Sequence, residues 1–174
     1  MSNINLYPKI SVIIPHFNER NVELLLKSIK LSDYPKDKVE IIIVTNNIEH
    51  VLSICKRTIP ELKCRAINRK VIYSVSNDRN MGAKQAEGDI LIFVDDDTIL
   101  SRDVLKKLVL PYLKYNNVGI ARPAILLCRK NSSGCRIQSL GIKVVKRFGL
   151  LRLTNIYSLN NEYFIDAIGG GVIT

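Results

Sequence analysis

Asp89-Ile90-Leu91-Ile92-Phe93-Val94-Asp95-Asp96-Asp97-Thr98 is the stretch that decides the fold. Ile90 to Val94 is short and apolar at every position, the pattern of a strand buried on both faces. Three carboxylates follow at once, so negative charge collects where the strand ends. Unrelieved repulsion there would be costly, and a divalent cation relieves it. Hard oxygen ligands of this kind suit Mg2+ or Mn2+, which bind through one or two carboxylates with substrate phosphates completing the shell. The competing reading is an Asp-rich turn that only caps the next helix.

Upstream, Lys9 to Pro15 and Val39 to Val44 repeat the apolar-strand pattern, the first stopped by proline. Between the strands, Val22 to Leu31 places Leu24, Leu25, Ser28 and Ile29 at helical spacing, and Val51 to Ile59 and Met81 to Glu87 read as further helices. Strand and helix alternate, which predicts an α/β fold with a doubly wound, mostly parallel sheet. Ligands of such sheets gather beyond the carboxyl ends of the strands. Downstream, Ser101 is expected to cap a helix through Val104, Leu105, Leu108 and Val109, with Pro111 kinking or ending it. Val118 to Leu127, Gly141 to Val145 and Tyr163 to Ile168 then read as strands without crossover helices, a mixed C-terminal part. With no repeat or linker in view, residues 1–174 are expected to form a single domain.

The chain has 174 residues and is 47% apolar, within the ordinary globular range. Its apolar runs fall far short of the roughly 20 residues that span a bilayer. Met1 to Lys9 lacks the basic-then-apolar pattern of a secretory signal, so a cytoplasmic location is expected. Cys55, Cys64, Cys128 and Cys135 form no C-x-x-C pair, and His16 and His50 are the only histidines, which argues against a zinc site. Cys128 and Cys135 bracket a polar loop that a disulfide would staple, but reduced, buried thiols are the expected state of all four. The net charge of +10 divides into +4 over residues 1–120 and +6 over residues 121–174. A basic distal third suits a pyrophosphate, an anionic membrane surface with a lipid-linked acceptor, or nucleic acid, and equally a solvated face that maintains solubility. No helix-turn-helix, zinc-finger or RNP pattern accompanies the charge, so nucleic acid is not expected. The P-loop, G-x-G-x-x-G and G-x-S-x-G signatures are missing, which leaves kinase, dehydrogenase and hydrolase readings unsupported.

Several segments, in order, resemble family 2 glycosyltransferases, which have the GT-A, Rossmann-like fold. Ser11 to Glu19 (SVIIPHFNE) resembles the family's opening strand and P-x-x-N loop, and Asn80-Met81-Gly82 its N-x-G. Ala86-Glu87-Gly88-Asp89 and the strand that follows resemble the A-x-G-D lead into the D-x-D motif. More weakly, Arg122 to Leu126 and Ile137 to Gly141 resemble rhamnosyltransferase-like members, and Asp166 to Thr174 (DAIGGGVIT) the glycine-rich acceptor side.

The resemblance implies that residues of about 8–100 bind a nucleotide-sugar. The metal would be held by Asp95 and Asp97, with Asp96 between them. Pro15, His16, Phe17, Asn18, Glu19, Asn46, Asn80 and Gly82 would complete the donor site, His16 in a structural role. Gly169, Gly170 and Gly171 would face the acceptor, in a half beginning near residue 101 that is incomplete by comparison with the family. The implied activity is metal-dependent, inverting transfer of a hexosyl group to a hydroxyl of a glycan, lipid-linked or protein acceptor, with the enzyme peripheral at the inner membrane face. A non-catalytic nucleotide-sugar or carbohydrate binder is the alternative.

Two departures from the family pattern stand out. Where the second strand usually ends in an Asp that contacts the nucleoside, this chain has Val44-Thr45-Asn46-Asn47. The family's general base, typically in an E-D pair beyond the glycines, falls after Thr174, so a truncated portion of a longer enzyme is expected; Asp166 is the one nearby carboxylate that could substitute.

Overall fold

The computed structural model describes residues 7–17, 22–70, 74–128, 135–139, 142–145 and 150–153. Four strands, β1 (Ile10–Pro15), β2 (Val39–Thr45), β3 (Lys63–Asn68) and β4 (Ile90–Phe93), pair in parallel in the order β3-β2-β1-β4. Helices α1 (Val22–Lys30), α2 (Ile48–Thr58) and α3 (Val75–Ala83) connect them, and α4 (Val104–Lys114) follows β4. Two antiparallel pairs complete the described structure: β5 (Ile125–Cys128) with β6 (Cys135–Ser139), and β7 (Ile142–Val145) with β8 (Leu150–Leu153). This is the expected doubly wound α/β architecture with a mixed C-terminal part, consistent with a GT-A, Rossmann-like fold.

The core follows from strand alternation. Ile10, Val12, Ile14, Val39, Ile41 and Ile43 point to one side and share a cluster with residues of α1, α2 and α4. Each such side chain stabilises the fold by about 1.5–3 kcal/mol when fully buried. On α1, Val22, Leu25, Leu26 and Ile29 form the inward face, while Glu23 in its first turn and Lys27 and Lys30 in its last complement the helix dipole. Ser11, Ile13, Glu40 and Ile42 point to the opposite side, where α3 packs so closely that a Cβ on Gly82 would overlap the Ile13 side chain.

The structure corrects or extends the sequence reading at several points. α3 covers Val75–Ala83 rather than Met81 to Glu87; its start is set by Ser74, whose Oγ accepts from the Asn77 N–H, a cap masked by low apolar content. Ser101 does not cap α4. The cap position is Asp103, whose carboxylate accepts from Ser101 Oγ, and the helix runs through Pro111 to Lys114. β3 went unread because it is an edge strand of mixed polarity, Lys-Cys-Arg-Ala-Ile-Asn, held by its register with β2. Finally, Cys55 on α2 and Cys64 on β3 are disulfide-bonded rather than reduced, because packing of α2 on β3 brings their Cα atoms to 6.5 Å. Cys135 is also disulfide-bonded and lies opposite Cys128 in the β5–β6 ladder. The expected strand Tyr163 to Ile168 lies outside the described residues, and the expected Val118 to Leu127 strand is confined to β5. Among the described residues no helix is long and apolar enough to cross a membrane.

Candidate functional site

The sheet order places a topological switch point between β1 and β4. The connections from β1 through β2 to β3 step one way, and the chain then returns past β1 to form β4. Ligand crevices open outside the carboxyl ends of strands at such a point. Here those ends are Pro15-His16-Phe17 after β1 and Asp95-Asp96-Asp97 after β4, so the fold joins two segments that are 80 residues apart.

The three carboxylates have three different surroundings. Asp95 Oδ1 accepts from Arg79 Nη2 at 2.7 Å, and its carbonyl accepts from the Thr98 N–H to close a turn. Asp96 Oδ2 accepts from the Phe17 N–H at 2.9 Å and lies 3.0 Å from His16 Nδ1. An ionised carboxylate only accepts, so Nδ1 carries the shared proton. Asp97 is exposed and has no hydrogen-bond or ion-pair partner among the described residues.

Arg69, which follows β3, binds this end of the sheet together. Its Nε donates to Asp78 Oδ2 at 2.8 Å, its Nη2 donates to the carbonyl of His16 at 2.6 Å, and its guanidinium lies 3.8 Å from the Phe17 ring centroid. Its side chain is 7% exposed and that of Asp78 is fully buried, so the pair is desolvated. Asp78 Oδ1 has no partner among the described residues.

Pro15 to Phe17 and the acidic triplet therefore meet at the switch point. Asn46 is exposed at the end of β2, while its neighbour Asn47 is occupied as the N-cap of α2, accepting from the His50 N–H at 3.3 Å. Asn80 and Gly82 both lie on α3; Asn80 is exposed, and Gly82 is buried against β1. Asn18, Glu19, Asp166, Gly169, Gly170 and Gly171 lie outside the described residues. Sequence reasoning missed Arg69, Asp78 and Arg79. Only Arg79 carried a signal, its place directly before Asn80-Met81-Gly82.

The A-x-G-D segment lies at the opposite, amino end of the sheet. A Cβ on Gly88 would come within 2.6 Å of Ser11 N and Oγ. Buried Glu40 accepts from Ser11 Oγ, from the Glu87 N–H and from Arg65 Nη2, the last at 2.9 Å. Burial alone would raise the Glu40 pKa, but these hydrogen bonds and the charges of Arg65 and Lys9 outweigh it and hold the carboxyl below its ordinary value. Hydrogen bonds from Lys63 and Lys9, reinforced by their charges, bring Glu87 down to about 2.

For a metal, the fit is specific in kind. No group of three or more His, Cys, Asp or Glu residues that could hold an ion occurs among the described residues. Asp95 is paired with arginine, and Asp97 is the open carboxylate. Such a donor set fits a hard cation held by one carboxylate and by phosphate oxygens of a ligand, rather than one caged by protein alone.

The sequence model of Glycosyl transferase family 2 matches residues 11–158. Poly(ribitol-phosphate) beta-N-acetylglucosaminyltransferase TarS of Staphylococcus aureus is 33% identical over 106 residues, covering 56% of this chain and 18% of that protein. Mannosyltransferase PcManGT from Pyrobaculum calidifontis, solved in complex with GDP-Man and Mn2+, has a TM-score of 0.59 at 26% identity, covering 67% of this chain and 35% of its own. TarS 1-349 from S. aureus, solved in complex with UDP, has a TM-score of 0.55 at 27% identity, covering 62% and 33%. The chain thus spans from 18% to 35% of these relatives' lengths.

Proposed function

The chain belongs to glycosyl transferase family 2, and on that premise we propose that it transfers a hexosyl group, with inversion, from a nucleoside-diphosphate sugar to an acceptor hydroxyl. The observation that carries this reading is the open carboxylate of Asp97 at the β1/β4 switch point, next to the loop that ends β1. Asp97, together with phosphate oxygens of the donor, would hold Mn2+ or Mg2+. When bound, the cation stabilises the charge that develops on the departing diphosphate as the anomeric bond breaks. Arg79 and Arg69 add fixed positive charge at the same end of the sheet, desolvated in the case of Arg69. Pro15 to Phe17 seat the ribose and base, and Asn46 offers a neutral amide that hydrogen-bonds a base edge as both donor and acceptor. The acceptor, a glycan, lipid-linked or protein hydroxyl, approaches from the Gly169 to Gly171 side. None of the described residues is assigned the role of general base. The basic distal third meets anionic lipid at the cytoplasmic face of a membrane.

Calorimetric titration with UDP, dTDP and GDP, each with and without Mn2+, tests the donor site. The expected outcome is Mn2+-dependent binding of one nucleotide, lost in Asp97→Asn. A folded wild-type chain that binds none of the three would overturn the proposal.

A further inference from the structure

We propose that Asp96 is a positioning residue: it joins the β1 loop to the triplet and thereby sets the donor seat relative to Asp97, without itself holding metal or donor. The inference rests on the donor-site reading above and adds a division of labour to it.

The argument begins with backbone hydrogen bonding. Along β1, the His16 N–H donates to the Val44 carbonyl on the β2 side, whereas Ile13 accepts from the Val94 N–H on the β4 side. Alternation then directs Ile13, Pro15 and Phe17 toward β4. Pro15 has no N–H and cannot donate into the β1–β4 ladder. The next donor on that side is the Phe17 N–H, and it bonds to the Asp96 side chain at 2.9 Å. The proline thus ends the ladder at the switch point, and a carboxylate from the other strand makes the next link across the crevice.

His16 supplies the second link, with Nδ1 3.0 Å from the same Oδ2, and its side chain is 2% exposed. Its carbonyl also accepts from Arg69, whose guanidinium covers the Phe17 ring. Movement of the β1 loop would therefore disturb Asp96 and Arg69 together. Asp96 is 14% exposed and engaged from the protein side, in contrast to the open Asp97 beside it. Charge-assisted hydrogen bonds of this kind are roughly twice as strong as neutral ones.

The test compares wild type with Asp96→Ala, Asp97→Asn, His16→Asn and His16→Leu. Three quantities are measured: exchange of the Phe17 amide by NMR on the ligand-free chain, nucleotide affinity at saturating Mn2+, and the Mn2+ midpoint at saturating nucleotide. Asp96→Ala is expected to speed Phe17 exchange and to weaken nucleotide binding about tenfold, as loss of such a bond does, while leaving the Mn2+ midpoint within about twofold. Asp97→Asn is expected to leave Phe17 exchange unchanged and to remove the Mn2+ dependence. His16→Asn, whose amide nitrogen replaces Nδ1, keeps Phe17 exchange near the wild-type rate; His16→Leu, similar in bulk but without a donor, speeds it. If Asp96→Ala shifts the Mn2+ midpoint as Asp97→Asn does, Asp96 is a metal ligand and the inference fails while the donor reading stands. Faster Phe17 exchange with unchanged nucleotide affinity also overturns it, since the link would then serve the fold alone. A wild-type chain that binds no nucleotide overturns the donor reading and this inference with it.

Discussion

The two ends of the parallel sheet differ in how completely their carboxylates are paired. At the amino end, buried Glu40 has a donor for each oxygen, and Glu87 is surrounded by Lys9, Lys63 and Arg65. Both carboxylates there are answered by neighbours, although Arg65 Nε has no partner among the described residues, and the result is a buttress that fixes Gly88 against β1. At the carboxyl end, Asp97 has no partner among the described residues, and Asp78 keeps one oxygen without a donor. Satisfied charge stabilises a fold, whereas charge left open at a strand end is available to a ligand. The contrast separates the two motifs that flank β4: A-x-G-D holds the strand in place, and the acidic triplet presents what the strand carries.

The sharpest way to break this comparison is Arg69→Leu, because the crevice end also contains one fully desolvated pair. Removing the cation leaves Asp78 buried without compensation, and the expected loss is about 3–5 kcal/mol of stability in urea denaturation. A loss below about 1 kcal/mol would show that the pair is solvated and that the crevice end has no structural charge. Asp97→Asn is next in size: nucleotide affinity in Mn2+ should fall at least about a hundredfold, while the melting temperature stays within error because no partner among the described residues is lost. A large drop in melting temperature would reveal a hidden partner.

Glu40→Gln inverts that pattern. It should cost about 1–3 kcal/mol through weakened charge-assisted hydrogen bonds, and leave nucleotide affinity unchanged. It should also flatten the acid limb of the stability curve. Glu40 and Glu87 have folded-state pKa values below the ordinary 4.5, so their stabilisation is complete above that pH and is lost as pH falls through those lowered values, about 2 for Glu87. Urea midpoints of wild type and variant measured from pH 6 to pH 2 should therefore converge at the acid end; a constant gap would remove Glu40 as the source. The smallest effect is expected for Glu23→Ala, which breaks exposed pairs with Lys27 and Arg57 and should leave the urea midpoint unchanged.

Much of the fold was legible because burial on both faces leaves a simple mark. Ile10 to Pro15, Val39 to Thr45 and Ile90 to Phe93 are nearly uninterrupted apolar runs, and a parallel sheet between helices is what such runs form. α1 was legible as a helix from its spacing, although Leu24, read as part of its apolar face, is exposed and Leu26 is buried in its place. β3 and α3 were not, because neither carries its own pattern. β3 is an edge strand identified by its pairing, and α3 is a weakly apolar helix fixed by a serine cap and by the close approach of Gly82 to Ile13. The disulfide between Cys55 and Cys64 was unreadable for a similar reason: only packing of α2 on β3 makes them neighbours.

The sequence by itself determined that acidic residues follow a buried strand and that a proline-ended strand belongs to the same sheet. It could not assign separate tasks to Asp95, Asp96 and Asp97, three identical side chains in a row. Tertiary structure decided those tasks through partners 16, 80 and 79 positions away, Arg79 for the first and His16 and Phe17 for the second, while leaving Asp97 open. The physical reason is that a carboxylate's role depends on which donors reach it. At this switch point the donors arrive from β1 and α3, whose distance from the triplet along the chain bears no relation to their distance in space.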